Sequence, residues 1–271
     1  MRDGRGGSPT AVVDDPGALS DAERSRVPAR YGTSHAVFVT RRGAPGTATD
    51  LRFFTAEGEL PACGHGTVAA IAFLAARSHE AVREFTLRAA GRAFTAHATR
   101  DGDRFHTAFD PGPIAVREAT PDETGLVAAA LGASAELLAP GACVASPGRP
   151  RILIPFGTAR AVAALTPDID ALRAACDRLG FLGCYVHTPP SDAGRVTARM
   201  FAPSIGVPED IANANSTACL AAHLARRGVT HLSVDMGDSL GSPATITTTA
   251  RRTPDGAAIL VGGAATLAST P

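Results

Sequence analysis

The stretch Cys63-Gly64-His65-Gly66-Thr67-Val68-Ala69-Ala70-Ile71-Ala72-Phe73-Leu74-Ala75-Ala76-Arg77 decides how this chain is read. Val68, Ile71, Ala72 and Ala75 recur at helical spacing between Thr67 and Arg77, and apolar residues fill most of the positions between them. A helix that is apolar on most sides has no face to give to water, so it is expected to be enclosed by strands. Ser216 to Arg227, with Cys219, Leu220 and Leu224 similarly placed, reads the same way. Two enclosed helices imply two lobes, each wrapped around its own.

The two stretches are related. Arg199-Met200-Phe201 lies 147 residues after Arg52-Phe53-Phe54, and 150 residues separate Cys63-Gly64-His65 from Asn213-Ala214-Asn215 and Leu74-Ala75-Ala76-Arg77 from Leu224-Ala225-Arg226-Arg227. Both lobes therefore share a plan of strand, polar loop and buried helix. Further β-branched and aromatic runs read as strands at Thr10 to Val13, His35 to Thr40, Leu51 to Thr55, Glu84 to Arg88 and Ala93 to Ala98. After the break Asp110-Pro111-Gly112-Pro113 they continue at Arg151 to Pro155, Cys184 to His187, Val196 to Phe201, Leu232 to Asp235, Ala244 to Thr249 and Ala258 to Val261. Ile169 to Leu179 reads as a surface helix with Asp170, Arg173, Asp177 and Arg178 on its wetter side. The expected class is α+β, with two pseudo-symmetric lobes, each a curved, mostly antiparallel sheet around a central helix. The N-terminal lobe is expected over residues 1–112 and the C-terminal lobe over 113–271, with the last strand able to return to the first lobe.

Composition narrows the function. The 271 residues carry 26 basic and 26 acidic side chains, so no net field draws the protein to nucleic acid or to an anionic membrane. Every basic residue is arginine, and a chain without lysine cannot form the Schiff base of pyridoxal phosphate enzymes or lysine aldolases. Cys63, Cys143, Cys176, Cys184 and Cys219 are scattered with no CxxC pair, which argues for reduced thiols rather than a disulfide framework or a structural zinc. The eight histidines form no HxxxH or HxH group, and the spacing reads against a metal. The start of the chain lacks an apolar signal region and no apolar run has membrane-spanning length, so a cytoplasmic protein is expected.

In each lobe the polar loop directly precedes the buried helix, where four backbone N–H groups lack intrahelical partners and the macrodipole is positive. Two such ends facing across a cleft would hold a substrate carboxylate, or stabilise the charge formed when a carbon acid beside a carboxyl loses its proton. Gly64 and Gly66 would let the backbone approach closely, with Thr67 and Ser216 in the same turns. The proton-moving candidates are His35, Cys63, His65 and Asp210. His65 is poorly placed for core packing. Cys63 reads either as a thiol of lowered pKa at a helix N-terminus or as a buried small apolar residue. Asp210 reads either as an acid/base or as a loop-fixing residue, and His35 either as a site residue or as a solvent-facing strand residue.

At these loops the chain resembles the PhzF-like family, named for the phenazine-biosynthesis isomerase and sharing its fold with diaminopimelate epimerase and proline racemase. Gly7-Ser8-Pro9 before Thr-Ala-Val-Val resembles the family's GNP-x-AVV opening, and Glu59-Leu-Pro-Ala-Cys-Gly-His-Gly-Thr67 its ELPFAGHP segment. Arg199-Met-Phe-Ala-Pro-Ser-Ile-Gly-Val-Pro-Glu-Asp210 is similar to R-x-F-x-P-x-x-G-x-x-ED, Gly241-Ser-Pro243 to the G-R-P turn, and Val261-Gly-Gly-Ala to the terminal VGG-x-A. The resemblance implies that His65 is the catalytic-loop histidine, that Asp210 is the active-site aspartate, and that Asn215 stands where the family has a serine. It also implies no metal, no organic cofactor and a homodimer acting on small amino-acid-derived carboxylates, commonly in natural-product pathways.

Three departures qualify it. His35 stands where the family has a catalytic glutamate, and Cys63 replaces the PhzF alanine and matches the first catalytic cysteine of the epimerase and racemase branch. Asn213 holds the place of that branch's second cysteine, so a symmetric two-thiol racemase is not expected. Only six residues precede Gly7, where the family has a further strand, so that strand is either truncated or lost. The first reading is a double-bond or tautomer isomerase in which His35 or Cys63 removes a proton, His65 or Asp210 manages its return, and Asn213, Asn215 and the helix ends hold the substrate. The alternatives are an epimerase or dehydratase of an amino or imino acid using Cys63, and a non-catalytic binder of small acids.

Overall fold

Strand formation follows the β-branched and aromatic runs, and the two alanine-rich stretches become the helices those strands enclose. The structure, a computed structural model, describes residues 1–15, 17–41, 48–78, 80–253 and 256–268. It divides into two compact units.

The first unit comprises Ser8–Asp110, with Met1 and the chain end from Gly262. Its elements are β1 (Thr10–Asp14), α1 (Asp21–Arg30), β2 (His35–Arg41), β3 (Thr49–Thr55), β4 (Gly58–Leu60), α2 (Gly64–Ala76), β5 (Val82–Ala89), β6 (Arg92–Asp101) and β7 (Arg104–Phe109). The sheet order is β1-β2-β3-β5-β6-β7, with β4 hanging from β3. The pairs β1/β2 and β3/β5 are parallel and the others antiparallel. Helix α2 packs against β1, β2, β3, β6 and β7 and buries Ala70, Ile71, Ala72, Leu74 and Ala75. Burial of a side chain such as Ile71 contributes about 1.5–3 kcal/mol, and such burial, rather than amphipathic character, holds this helix. On the outer face α1 covers Ala36, Phe38 and Phe54 with Leu19 and Val27. There the buried Arg24 guanidinium donates to Asp15 at 2.7 and 3.0 Å and sits 5.6 Å from the Phe38 ring.

The second unit comprises Pro111–Val261 together with Arg2–Gly7. Its elements are β8 (Ala115–Glu118), α3 (Pro121–Ala130), β9 (Cys143–Ser146), β10 (Arg151–Pro155), α4 (Ala159–Ala163), α5 (Ile169–Leu179), β11 (Cys184–His187), β12 (Arg195–Ala202), β13 (Val207–Asp210), α6 (Ala214–Ala225), β14 (His231–Met236), β15 (Ala244–Thr253) and β16 (Gly256–Thr266). The order is β8-β9-β10-β11-β12-β14-β15-β16, with β13 hanging from β12. Here β10/β11 and β12/β14 are the parallel pairs. Strand β16 gives its residues before Gly262 to this unit and the remainder to the first, where Thr107 Oγ1 donates to the Gly263 carbonyl at 3.2 Å. Helix α6 packs against β8, β9, β14 and β15. Helices α3 and α5 form an outer layer over Ile152, Ile154, Phe156 and Phe201. Helix α5 starts at the Asp168 cap and stops at Gly180, whose φ of 69° is the left-handed conformation glycine adopts without strain.

The repeat read at offsets 147 and 150 is present in the topology. In both units a parallel pair is followed by an antiparallel partner, a short strand hanging from it, the enclosed helix, and a hairpin entered through a second parallel pairing. The correspondence reaches side chains. Arg52 clamps Glu59 through two bonds, of 2.7 and 2.5 Å, and Arg199 clamps Glu209 through two, each 2.8 Å. The residues Arg2–Gly7 depart from the reading of 1–112 as one lobe, because Arg2 pairs with Asp235 and Asp238 in the second unit.

Candidate active site

Cys63 caps α2. With φ −146° and ψ 112° it stands outside the helix, and its Sγ accepts the Gly66 N–H at 3.4 Å. The Thr67 hydroxyl donates to the Cys63 carbonyl at 2.8 Å, so both ends of this residue are fixed by the first turn. The Arg52 clamp on Glu59 ties β3 to β4 and so fixes the hairpin that delivers Cys63. A methyl group on Gly66 would lie 2.9 Å from the Phe53 ring and 3.1 Å from the Cys63 sulfur, so only glycine lets the turn close under the thiol. Gly64 is buried in the same turn.

His65 reaches back over that cap, its Nε2 3.3 Å from the Cys63 sulfur. His35, first in β2, completes the cluster: its ring meets that of His65 edge to face, centroids 4.3 Å apart and planes at 81°. The Ser34 hydroxyl lies 2.8 Å from His35 Nδ1. His35 is 8 % and Cys63 5 % exposed, while His65 is half-buried. No acidic residue occupies the first turn of α2, so its positive end is not offset by a side chain of its own. One ligand-capable atom from each of His35, Cys63 and His65 lies within 4.8 Å of the others. Sequence spacing, which read against a metal, has no view of this convergence, because β2 and the α2 cap are distant along the chain.

The second unit repeats the cap with different chemistry. Asn213 caps α6, its Oδ1 accepting the Ser216 N–H at 2.8 Å, and the Thr217 hydroxyl donates to the Asn213 carbonyl at 3.0 Å. The Asn213 amide donates to Asp210 Oδ2 at 2.9 Å, and the Ala212 N–H reaches Asp210 Oδ1 at 3.4 Å. Asn215 is half-buried in the first turn, in the place His65 takes in α2. Ser216 is fully buried. Its hydroxyl donates to Met200 Sδ at 3.4 Å and accepts from Arg151 at 3.1 Å, as Thr67 is likewise buried on its own carbonyl contact. What these two residues bring to their turns is a fixed cap.

Arg151 was not singled out from sequence. At 3 % exposure it has no carboxylate partner among the described residues and donates to the Ser216 hydroxyl and the Arg149 carbonyl, which places a buried cation beside the first turn of α6. Its position at the head of an apolar strand, Arg-Ile-Leu-Ile-Pro, was the available signal. The remaining thiols are unsuited to chemistry near neutrality. Burial pushes Cys143 and Cys176 up to about 12 and Cys219 up to about 11, and raises Cys184 well above the ordinary thiol value.

The structure thus brings His35, Cys63 and His65 together at one helix end, and Asp210, Asn213 and Ser216 at its counterpart. The family model described as phenazine biosynthesis-like protein, PhzC-PhzF, matches residues 2–270. The chain belongs to this family. An uncharacterized isomerase of Deinococcus radiodurans is 30% identical over 253 residues, covering 89% of this chain and 80% of that protein. The trans-2,3-dihydro-3-hydroxyanthranilate isomerase of Pseudomonas fluorescens is 29% identical over 240 residues, 82% of this chain and 76% of that one. Among solved structures, a protein of Pseudomonas aeruginosa described as a predicted epimerase superposes with a TM-score of 0.79 at 28% identity, covering 98% of this chain and 95% of that one. The α+β fold is that of the PhzF and epimerase-like proteins, and this member of the family is an isomerase. No helix among the described residues is long and apolar enough to cross a membrane.

Proposed function

We propose that this isomerase shifts a proton and a double bond within a small amino-acid-derived carboxylate, in a pathway that builds a natural product, and that His35, Cys63 and His65 are its proton carriers. The observation that carries the reading is their convergence at the α2 cap, with a thiol 3.3 Å from one imidazole and that ring 4.3 Å from the other. Cys63 or His35 takes the proton from carbon, the C–H electron pair moves into the new double bond, and a proton delivered at the far carbon restores the composition. The Cys63 sulfur accepts the Gly66 N–H at the positive end of α2, the setting in which a thiol can serve as a base. His65, touching the sulfur, is placed to relay the proton. In the second unit Asp210, which accepts the Asn213 amide N–H, is the corresponding acid–base candidate. Acid–base groups of these kinds supply the reaction without an organic cofactor.

The test is to incubate a panel of small carboxylates, trans-2,3-dihydro-3-hydroxyanthranilate among them, in deuterated water and to identify products by NMR. A shifted double bond is expected, with turnover falling by about 100-fold or more in Cys63→Ala or His35→Ala, the scale of a lost general base. Wild-type turnover in both variants would remove the assignment. Reading product structure alongside deuterium guards against a proton returned internally. Inversion at a stereocentre would instead support an epimerase, the reading favoured by Cys63 and by the 28% identical protein described as a predicted epimerase. Against it stands Asn213, a carboxamide in the cap equivalent to Cys63, where a two-thiol mechanism needs a second sulfur.

A further inference from the structure

We infer that His35, Cys63 and His65 form a three-ligand site for a divalent transition metal of the zinc type. Zinc binds cysteine sulfur at about 2.3 Å and histidine nitrogen at about 2.0–2.1 Å, so neighbouring S and N ligands of a tetrahedral ion stand about 3.5 Å apart. The Cys63 sulfur and His65 Nε2 are 3.3 Å apart, and the ligand atoms of all three residues fit within 4.8 Å of one another. One edge of the tetrahedron is therefore already built, and small rotations of the His35 and His65 rings bring the third ligand onto the same ion.

The surroundings are those of a ligand set. Cys63 and His65 are fixed by one helical turn, which closes at Gly66 where an added methyl would meet both Phe53 and the Cys63 sulfur. The Ser34 hydroxyl on His35 Nδ1 is the outer contact that fixes tautomer and ring orientation in metal-ligating histidines, with Nε2 as the coordinating atom. Two imidazoles and a thiolate select zinc, cobalt or copper over magnesium and calcium, which take oxygen ligands. Binding transfers the ion from solution onto the three side chains and releases the Cys63 thiol proton to water. Three protein ligands leave a fourth position. The positive end of α2 opposes a bare dication there and favours an anion, hydroxide or a carboxylate, as the fourth ligand. A further consequence rests on the proton-transfer reading: a bound ion occupies the groups that carry the proton, so turnover stops until the metal is removed. Binding itself does not depend on that reading.

The test uses the full-length protein, stripped with a chelator, desalted and titrated with Co2+ as the probe. One equivalent per chain is expected, with a thiolate-to-cobalt charge-transfer band that Zn2+ then abolishes by displacement. Cys63→Ser loses the band. His35→Ala and His65→Ala each weaken binding by at least about tenfold, and Ser34→Ala, which leaves all three ligands in place, weakens it by about 10–100-fold, the usual effect of an outer contact. Circular dichroism establishes that each variant is folded before titration, and the Ser34 and histidine variants carry the test if Cys63→Ser does not fold. Absence of the band, or a band unchanged in Cys63→Ser, overturns the proposal. Metal binding by a protein that, once stripped of metal, forms no product with a shifted double bond would leave the site standing and remove the proton-transfer reading; product formation by the stripped protein without any metal binding would do the reverse.

Discussion

Protonation of His187 should cost this protein a measurable part of its stability under mild acid. His187, last residue of β11, is 3 % exposed; its Nδ1 lies 2.9 Å from the Thr188 carbonyl and donates to it, while Nε2 has no partner among the described residues. A second proton would sit in the interior without an acceptor. Burial, reinforced by nearby His223, lowers the His187 pKa from 6.5 to about 4 against the opposing pull of the Thr188 carbonyl. The folded state therefore resists the proton that the unfolded chain accepts. Stability is full above pH 6.5, falls as pH drops through the window between 6.5 and about 4, and levels off below it. Each pH unit inside the window is worth about 1.4 kcal/mol, so the loss is roughly 2–3 kcal/mol by pH 4.5 and about 3–4 kcal/mol in full. The perturbation is His187→Asn, whose amide can keep the donor to Thr188 but does not titrate. Urea unfolding of both proteins at pH 7.5 and pH 4.5 gives four free energies. The wild-type lead over the variant should shrink by about 2–3 kcal/mol between the two pH values, with the carboxylates cancelling in the difference. An unchanged lead would refute the reasoning.

Gly66→Ala forces a methyl against Phe53 and the Cys63 sulfur, so thermal denaturation should show a loss of about 1–3 kcal/mol, the scale of overpacking, and proton transfer should fall with the displaced thiol. Native protein treated with iodoacetamide at pH 8 should leave Cys143, Cys176, Cys184 and Cys219 unmodified by peptide mass, because even Cys219, at about 11, is only about one part in a thousand thiolate there; alkylation of any of the four without unfolding contradicts their burial. Asn213→Ala removes the α6 cap and should cost about 1 kcal/mol in denaturant unfolding. Asn213→Cys should recover part of that loss, since sulfur already serves as the cap in α2.

Much of this architecture was legible where periodicity and burial agree. Ile169–Leu179, Arg151–Pro155 and Cys184–His187 were read to the residue because apolar runs there end at abrupt polar or glycine boundaries. Helices α1 and α3 were not, because their apolar residues follow no clear stripe. The legible signal lay instead at their starts, in the capping boxes Ser20 with Glu23 and Thr120 with Glu123, where side chain and backbone bond reciprocally. The short strands β4, β8, β9 and β13 carry too few residues for alternation to show. In the site, the repeat placed Cys63 and Asn213 at matching positions, and both cap their helices. The approach of His35 to His65 was beyond spacing, since it arises from sheet register. Arg151 was hidden for the opposite reason: a charged residue at a strand start ordinarily faces water, and here it is buried.

The paired caps separate what the backbone needs from what reactivity needs. A helix start asks its first residue only for an acceptor aimed at the N–H three positions on, and sulfur at 3.4 Å and amide oxygen at 2.8 Å both answer. Each half of a repeated scaffold can then exchange its reactive atom while the main chain keeps its path. Such exchange lets one repeated frame host a thiol on one side and a carboxamide on the other, and change its chemistry by single substitutions at a modest cost in stability.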